Sequence, residues 1–285
     1  MRLDGRRESS NVEDRRGSGG KAAGIGLGGI VIVGLITLLM GGNLGDVFQA
    51  VVQSGGIQTQ SSYEPTEENE ALAKFSRQIL ASTEDVWSRY FEENGLGAYR
   101  APVLVLYTGS TSTACGQGQA AMGPFYCSAD NKLYIDLTFF SSMKRQLGAD
   151  GDFAYAYVIA HEVGHHVQHV LGTLDQAHAQ MARMSSKDAN RMSVRIELQA
   201  DFYAGLWAHY ENEMFDSIED GDLEEAIRCA SVIGDDYLQK KSQGYAIEES
   251  FTHGTAAQRM RWLKKGMTTG DIRQGDTFSL SDSQL

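Results

Sequence analysis

The chain has 285 residues, 42% of them apolar, and a formal net charge of −12 at pH 7. This acidic balance excludes a protein whose partner is nucleic acid, because binding to phosphates requires a basic surface. The length and apolar content suffice for one domain with a substantial core and some shorter segments beside it.

The amino-terminal part of the sequence predicts a disordered segment followed by a membrane anchor. Residues 1–21 carry charges of both signs and several glycines, and we expect them to be disordered. Residues 22–40 are uncharged, and as a helix they would rise about 1.5 Å each and nearly span a hydrocarbon core of about 30 Å. We therefore predict one transmembrane helix over residues 22–41, retained rather than cleaved because no A-x-A-like site follows it.

Basic residues are distributed unequally on the two sides of this predicted helix. Those before it are Arg2, Arg6, Arg7, Arg15, Arg16 and Lys21, and the next one is Lys74. The positive-inside rule then places the N-terminus in the cytoplasm. The predicted localisation is a single-pass protein of the inner membrane, with the domain in the periplasm or outside the cell.

The remaining sequence predicts a linker and one folded domain. Residues 42–70 are rich in Gly, Gln, Ser and acidic residues, which is typical of a flexible linker. The domain then covers residues 71–285. Its sequence predicts an amphipathic helix over 71–91, strands over 102–107 and 132–137, and helices to the end. This order indicates an α+β fold that is mostly helical, with a small sheet.

Three cysteines give a further indication of compartment. Cys115 and Cys127 enclose a glycine-rich loop and could form a short disulfide in an oxidising compartment. Cys229 would then remain as a buried thiol in a helix. The alternatives are three free thiols or a cysteine metal site, although the cysteines lack the paired spacing of zinc sites.

The most informative motif is His161-Glu162-Val163-Gly164-His165, in a segment with helical periodicity over 152–171. Two histidines four residues apart on a helix can both reach one metal ion, and Glu162 faces the same space. Neutral nitrogen ligands hold Zn²⁺ while a nearby carboxylate takes a proton from a water molecule. The motif is typical of a zinc-dependent hydrolase, with His161 and His165 as metal ligands and Glu162 as general base.

Other residues of this helix limit the class of zinc hydrolase and the choice of metal ligands. Metzincins have a further glycine and histidine where this chain has Gln168 and Leu171, so that class is excluded. His169 lies about 12 Å along the axis from the first ligand, at about 1.5 Å per residue, too far to share one ion. We expect His169 to lie at the surface or beside a metal ligand without binding the ion, and His166 to be structural. Gly164 costs about 1 kcal/mol in a helix relative to Ala, and close approach of another backbone or a bound peptide would explain it.

A third metal ligand is predicted on a later helix. Glu197 and Asp201 are four residues apart in a helical stretch with apolar neighbours. Glu197 can complete a His₂Glu zinc site, and Asp201 can accept the remaining ring N–H of one histidine. The alternative is a solvated acidic helix face. The apolar neighbours instead indicate burial, and buried carboxylates need partners.

Seven segments follow one another in a recognisable order: 115–116, 123–127, 134–137, 160–168, 197–201, 234–236 and 251–255. Together they resemble the bacterial family of membrane-anchored neutral zinc metallopeptidases over about residues 70–280. The resemblance implies a thermolysin-like, gluzincin-type zincin domain with bound Zn²⁺ and peptidase activity. Where the family would have a pair of cysteines, this chain has Phe202 and Gly275, which suggests that one disulfide was lost as a pair.

The resemblance also indicates roles for other residues. His253 could donate a hydrogen bond to the developing oxyanion, so we assign it a catalytic role; a structural role at a helix start is the alternative. Arg259 would pair with an acidic residue near the metal, and the roles of Asp235 and Asp236 are open. In zincins an edge strand pairs with extended substrate. Residues 133–137 are the candidate for that strand, with an ordinary central strand as the alternative.

These observations together predict a membrane-anchored zinc metalloendopeptidase with Glu162 as general base. Its predicted cofactor is Zn²⁺, and its predicted partners are a peptide or protein substrate and the membrane. One alternative is a catalytically inactive zinc-binding scaffold of the cell envelope. The other is a protein quality-control factor that binds its partners without zinc.

Overall fold

The computed structural model describes residues 1–17 and 66–285. Its helices are α1 (Glu67–Glu93), α2 (Thr138–Leu147), α3 (Asp152–Val170), α4 (Thr173–Met181), α5 (Ser186–Phe215), α6 (Asp222–Val232), α7 (Asp235–Gln243) and α8 (Ala256–Thr269). Its strands are β1 (Val12–Asp14), β2 (Val103–Tyr107), β3 (Ser110–Thr113), β4 (Gly116–Gln119), β5 (Phe125–Cys127) and β6 (Lys132–Asp136). The fold is therefore mostly helical with a small sheet, which confirms the predicted α+β class.

One sheet has four strands in the order β1-β2-β6-β5, and β3 and β4 form a separate hairpin. The first three strands of the larger sheet are parallel, and β5 is antiparallel to β6. The strands predicted over 102–107 and 132–137 are confirmed as β2 and β6. The expectation that 133–137 form an edge strand is wrong, because β6 is buried and has neighbours on both sides. The edge strands of this sheet are β1 and β5.

The N-terminal segment is folded against the domain, so the predicted disorder of residues 1–21 is wrong over 1–17. Strand β1 pairs with β2 in a parallel ladder. Arg6 donates to the buried carboxylate of Glu211 at 2.7 Å, and Asn11 donates to Glu84 at 2.8 Å. Several of the charges that suggested disorder, those of Arg6, Arg7 and Glu8, are instead paired with charged groups of the domain.

This packing also bears on the predicted membrane topology. The anchor predicted over 22–41 lies outside the described residues, and within the two described ranges no helix is both long and apolar enough to cross a membrane. A single span would separate the N-terminus from the domain, whereas β1 belongs to the same sheet as β2 and β6. The predicted localisation, with a cytoplasmic N-terminus and a periplasmic or extracellular domain, is therefore wrong.

Helix α1 begins earlier than expected. The Thr66 side chain accepts the N–H of Asn69 and caps the helix, and acidic residues in the first turn suit the positive end of the helix dipole. The helix predicted over 71–91 is thus confirmed and extended at both ends. The last four residues of the linker predicted over 42–70 belong to α1, and residues 42–65 lie outside the described chain.

The disulfide between Cys115 and Cys127 is present, as predicted. It joins the residue before β4 to the end of the edge strand β5. Cys229 is a free, buried thiol in α6, which is also as predicted.

Helices α5 and α8 cross with their backbones in direct contact. A Cβ atom at Gly205 would lie 2.1 Å from the carbonyl oxygen of Leu263, and one at Gly266 would lie 2.1 Å from that of Phe202. Only glycine fits at either position. A Cβ at Gly275 would lie 2.5 Å from the Phe202 ring, so the two positions that the resemblance associates with a lost disulfide are spatial neighbours, with an aromatic ring filling the space.

Candidate metal centre

The two histidines of the motif lie one turn apart on α3, and Glu197 of α5 faces both. His161 Nε2 is 3.1 Å from Glu197 Oε2, and His165 Nε2 is 3.5 Å from Glu197 Oε1. One potential ligand atom of each residue lies within 4.8 Å of the other two. The structure thus brings together the three residues that the sequence proposes as metal ligands.

Gly164 explains how α3 and α5 come this close. A Cβ atom at this position would lie 2.9 Å from the backbone oxygen of Ala200, a distance that side-chain carbons do not adopt. Of the two explanations that the sequence left open for Gly164, the structure supports close approach of another backbone. Because Ala200 lies between Glu197 and Asp201 on α5, this contact sets the distance of both carboxylates from the motif.

A buried network of charged and polar side chains binds the Nδ1 side of the His161 ring. Its Nδ1 lies 2.8 Å from Asp201 Oδ1, and the Tyr157 hydroxyl donates to the same oxygen at 2.6 Å. Arg259 donates to both oxygens of Asp201, from Nε and Nη2, at 2.9 Å each. The expected pairing of Arg259 with an acidic residue is confirmed, and the acid is Asp201.

The charges of this network set the pKa values around it. Burial raises the pKa of Asp201, but Arg259 and His161 outweigh that effect and hold the pKa at about 2. Burial lowers the pKa of His161, but the carboxylates of Asp201 and Glu197 outweigh it and raise the pKa to about 10. Asp201 is therefore an anion that accepts a proton from Nδ1 of His161, which leaves Nε2 directed at Glu197.

His165 is supported by a neutral group instead. Its Nδ1 lies 2.9 Å from Gln168 Oε1, and the Gln168 side chain is fully buried. Sequence reasoning used Gln168 only to exclude the metzincin class and missed this contact. The spacing of His165 and Gln168 could have predicted it, because residues three apart on a helix are neighbours.

Glu162 and Glu197 differ in their electrostatic surroundings. Burial raises the pKa of Glu162, although His165 and His161 oppose it. Burial also favours the neutral form of Glu197, but His165, His253 and hydrogen bonds from the two motif histidines hold its pKa well below the ordinary value. Glu197 is thus anionic, as a metal ligand must be, while Glu162 is the more basic of the two carboxylates.

His253 lies in a loop that is organised by Asp235. The carboxylate of Asp235 accepts the backbone N–H groups of Thr252 and His253 at 2.7 Å each and that of Gly254 at 3.2 Å. Its other oxygen lies 3.2 Å from His253 Nδ1. Burial lowers the pKa of His253, but Glu197 and Asp235 raise it above its ordinary value. Asp235, whose role the sequence left open, therefore orients His253.

The neighbouring acid, Asp236, has a different role. Its Oδ1 accepts the backbone N–H of Ala256 at 2.8 Å, which is the first residue of α8. Thr255 and Gln258 form a capping box at the same helix start. Asp236 is thus part of the structure that begins α8.

Two further histidines of α3, His166 and His169, make their contacts outside the metal centre. His166 is buried, with Nε2 at 2.7 Å from the Arg100 carbonyl oxygen and Nδ1 at 3.0 Å from the Tyr126 hydroxyl. His169 Nδ1 lies 3.0 Å from Asp175 Oδ1. Neither histidine belongs to the group around Glu197.

A second acidic group consists of Asp152, Asp222 and Glu225. The Met1 ammonium lies 3.2 Å from Asp152 Oδ2 and 3.1 Å from Asp222 Oδ1. The Phe153 N–H donates to Glu225 at 3.1 Å. A cation of the chain itself thus pairs with two of the three carboxylates.

The group formed by His161, His165 and Glu197 fits a zinc ion by the chemistry of its donors. Two imidazoles and one carboxylate are a donor set of zinc hydrolases, which leave one position for water. Each histidine has its Nδ1 engaged by an oxygen acceptor, Asp201 or Gln168, so that both Nε2 atoms are directed at the same place. Supports of this kind are typical of histidines that bind metals.

Comparisons with known proteins agree with this reading of the site. A family model described as "Putative neutral zinc metallopeptidase" matches residues 1–278. The Escherichia coli K12 protein named "Uncharacterized protein YpfJ" is 48% identical over 290 residues, which cover 99% of this chain and 100% of that protein. The Mycobacterium tuberculosis protein named "Uncharacterized protein Rv2575" is 40% identical over 197 residues, 66% of each chain. No solved structure matches the chain.

Proposed function

Since the chain belongs to the neutral zinc metallopeptidase family, we propose that it hydrolyses peptide bonds with a zinc ion held by His161, His165 and Glu197. The observation that carries this proposal is the position of Glu197, whose oxygens lie 3.1 Å and 3.5 Å from two histidine nitrogens of another helix. A carboxylate as third ligand corresponds to the gluzincin type. We assign the domain to the zincin architecture on the same basis.

When bound, a zinc ion supplies Lewis acidity toward the scissile carbonyl and lowers the pKa of a water molecule. Glu162 takes a proton from the attacking water and delivers it to the leaving amine. Its burial supports this role, because burial raises the pKa of Glu162 and so makes the carboxylate a better proton acceptor.

His253 is proposed to donate a hydrogen bond to the oxyanion that forms as the carbonyl is attacked. Its ring is about one third exposed, so a substrate can reach it. Asp235 accepts from three consecutive backbone N–H groups of this loop and faces His253 Nδ1. This arrangement leaves the other ring nitrogen of His253 available to the substrate, while Asp235 stabilises the protonated form.

Strand β5 is the candidate for pairing with the substrate backbone. It ends the order of the four-stranded sheet, and it packs beside the motif helix α3. Tyr126 of β5 contacts His166 and His169 of that helix through its hydroxyl and ring. An extended peptide added to this edge would pass the metal centre, and backbone pairing would give affinity with little sequence selectivity.

The proposal is tested by measuring zinc content and cleavage of an unfolded protein substrate for the full chain and its Glu162→Gln variant. We expect the variant to keep its zinc and to lose activity by about 10²- to 10⁴-fold, the usual contribution of a general base. The matched control is Glu92→Gln, which changes an exposed glutamate of α1 and should leave both quantities unchanged.

The other outcomes discriminate among the alternatives. Equal cleavage by the native chain and Glu162→Gln would contradict the general-base role. Full zinc content without cleavage by either protein would favour a zinc-binding scaffold. A chain that binds no zinc and still binds unfolded proteins would favour the quality-control factor.

A further inference from the structure

Two buried side-chain amides connect His165 to a turn near the C-terminus. His165 Nδ1 lies 2.9 Å from Gln168 Oε1. Gln168 Nε2 donates to the Ile196 carbonyl at 2.8 Å and to Gln199 Oε1 at 3.1 Å. Gln199 Nε2 donates in turn to the Gly275 carbonyl at 2.9 Å. Both glutamines are buried, and we refer to Gln168 and Gln199 together as the amide chain.

The backbone fixes the direction of the amide chain. The oxygen and nitrogen of an amide side chain have nearly the same shape, so the hydrogen-bond partners decide their placement. A backbone carbonyl can only accept. The Gly275 carbonyl therefore requires the NH₂ group of Gln199, whose oxygen then faces Gln168.

The direction of the Gln168 amide is fixed in the same way. The Ile196 carbonyl and the Gln199 oxygen both require the NH₂ group of Gln168, so the oxygen of Gln168 faces His165. His165 must then carry its proton on Nδ1. Its Nε2 faces Glu197, 3.5 Å away, and is the ring nitrogen that is left for a metal ion.

The far end of the amide chain is itself held on α5. The Thr277 hydroxyl donates to the Arg195 carbonyl at 2.7 Å, and Arg195 Nη1 donates to the Thr277 carbonyl at 2.6 Å. Gly275 lies against the Phe202 ring with no room for a side chain. The Gly275 carbonyl is thus a fixed acceptor.

We propose that Gln168 and Gln199 are positioning residues that keep His165 in its metal-binding tautomer and couple the turn at Gly275 to the affinity for zinc. The inference rests on the proposed function, because it concerns the same metal site. Neither residue touches substrate. Their effect passes through the orientation of the His165 ring and the hydrogen bond at its Nδ1.

The test compares Gln168→Met with Gln168→Glu in the full chain. The dissociation constant for zinc is measured by competition with a chromophoric chelator, and thermal unfolding of the metal-free proteins is measured in parallel. Gln168→Met removes the acceptor for Nδ1, and we expect zinc affinity to fall about 10- to 100-fold, as for other supports of metal ligands. Gln168→Glu keeps an acceptor, so its zinc affinity should stay closer to that of the native chain although its folding stability falls.

A purely structural role predicts the opposite order. Methionine is uncharged and close to glutamine in size, whereas a buried carboxylate that loses its donor contacts is costly. Higher zinc affinity for Gln168→Met than for Gln168→Glu would therefore overturn the proposal. The order of the two zinc affinities is the deciding readout, because the order of the two stabilities is the same under either role.

Two further variants complete the design. Gln199→Met removes the group that orients Gln168, and we expect a smaller loss of zinc affinity than for Gln168→Met. The matched control is Gln78→Met, since Gln78 is another buried glutamine whose amide donates to two backbone carbonyls, those of Leu3 at 3.0 Å and Arg6 at 3.3 Å. It should lose stability and keep its zinc affinity.

The outcomes separate this inference from the proposed function. If the native chain binds no zinc, both are overturned before any variant is compared. If the native chain binds zinc and Gln168→Met binds it equally well, the inference fails and the proposed function stands. Should Gln168→Met not fold, Gln199→Met against Gln78→Met decides, and equal zinc affinities for those two would overturn the inference.

Discussion

The two histidines of the candidate metal centre are supported by different chemistry. The Nδ1 of His161 is bound by the carboxylate of Asp201, which in turn accepts hydrogen bonds from Arg259 and Tyr157. His165 has behind it the neutral amide of Gln168. Hydrogen bonds to charged groups are about twice as strong as those between neutral groups, so the first support is the stronger one.

The difference suggests a division of roles within one site. An anion behind an imidazole raises its basicity as well as fixing its tautomer. A neutral amide fixes tautomer and orientation without adding a further negative charge beside Glu162 and Glu197. Loss of the charged support at Asp201 should therefore lower mainly the folding stability. Loss of the neutral support at Gln168 should lower mainly the affinity for zinc.

The largest expected effect comes from breaking the charged support. Arg259→Met leaves the buried Asp201 carboxylate without its guanidinium partner, and we expect the free energy of unfolding to fall by about 3–5 kcal/mol. Urea unfolding at neutral pH measures the loss. Lys264→Met, at an exposed position of the same helix, should change stability little. Equal stability of the two variants would show that the ion pair of Arg259 with Asp201 does not stabilise the fold.

His166 is a third histidine of α3, and its burial favours the neutral form of the ring. Burial lowers its pKa to about 4 from an ordinary value of 6.5, although the Arg100 carbonyl opposes this. The unfolded chain therefore takes up this proton at higher pH than the folded chain. The contribution of neutral His166 to the free energy of unfolding is complete above pH 6.5 and is lost as the pH falls to about 4. The loss is about 3 kcal/mol, at about 1.4 kcal/mol per pKa unit.

Urea unfolding of the native chain and of His166→Gln at the two ends of that pH range isolates this contribution. The variant should lose less stability on acidification than the native chain does. An identical loss in both proteins would mean that His166 titrates in the folded state as it does in the unfolded one.

We expect a smaller loss of stability from a change at Gly164, whose contact with Ala200 sets the distance between α3 and α5. In Gly164→Ala the added methyl group would lie 2.9 Å from the Ala200 oxygen, and we expect a cost of about 1–3 kcal/mol from overpacking. Because α5 carries Glu197 and Asp201, zinc affinity should fall as well. Chelator competition and urea unfolding measure the two quantities.

Gly205→Ala provides the matched variant at the other contact of α5. Its methyl group would lie 2.1 Å from the Leu263 oxygen, so stability should fall further than in Gly164→Ala. Zinc affinity should fall less, since this crossing lies away from the motif. The reverse ranking of zinc affinities would show that Gly164 does not set the distance between the helices at the metal centre.

Local patterns in the sequence predicted much of the metal centre. The spacing of His161 and His165, and of Glu197 and Asp201, places each pair on one helix face, and the structure brings these faces together. Helix α1 and strands β2 and β6 were also predicted, because their periodicity is local. The partner of Gly164 could not be predicted, since the sequence does not indicate which helix crosses it.

Long-range pairing accounts for the failures. The charges of residues 1–17 suggested a solvated segment, but partners of Arg7 and Arg6, namely Glu84 and Glu211, lie far along the chain. The predicted localisation depended on treating those same charges as cytoplasmic. The edge assignment of 133–137 failed for a related reason, because strand order depends on contacts that alternation does not reveal.

Anomalous diffraction at the zinc absorption edge, from crystals of the full chain grown with zinc, tests the metal assignment most directly. We predict a peak beside Nε2 of His161, Nε2 of His165 and the carboxylate of Glu197. A peak instead at Asp152, Asp222 and Glu225, the second acidic group of the described residues, or no peak in zinc-replete crystals, would contradict the assignment.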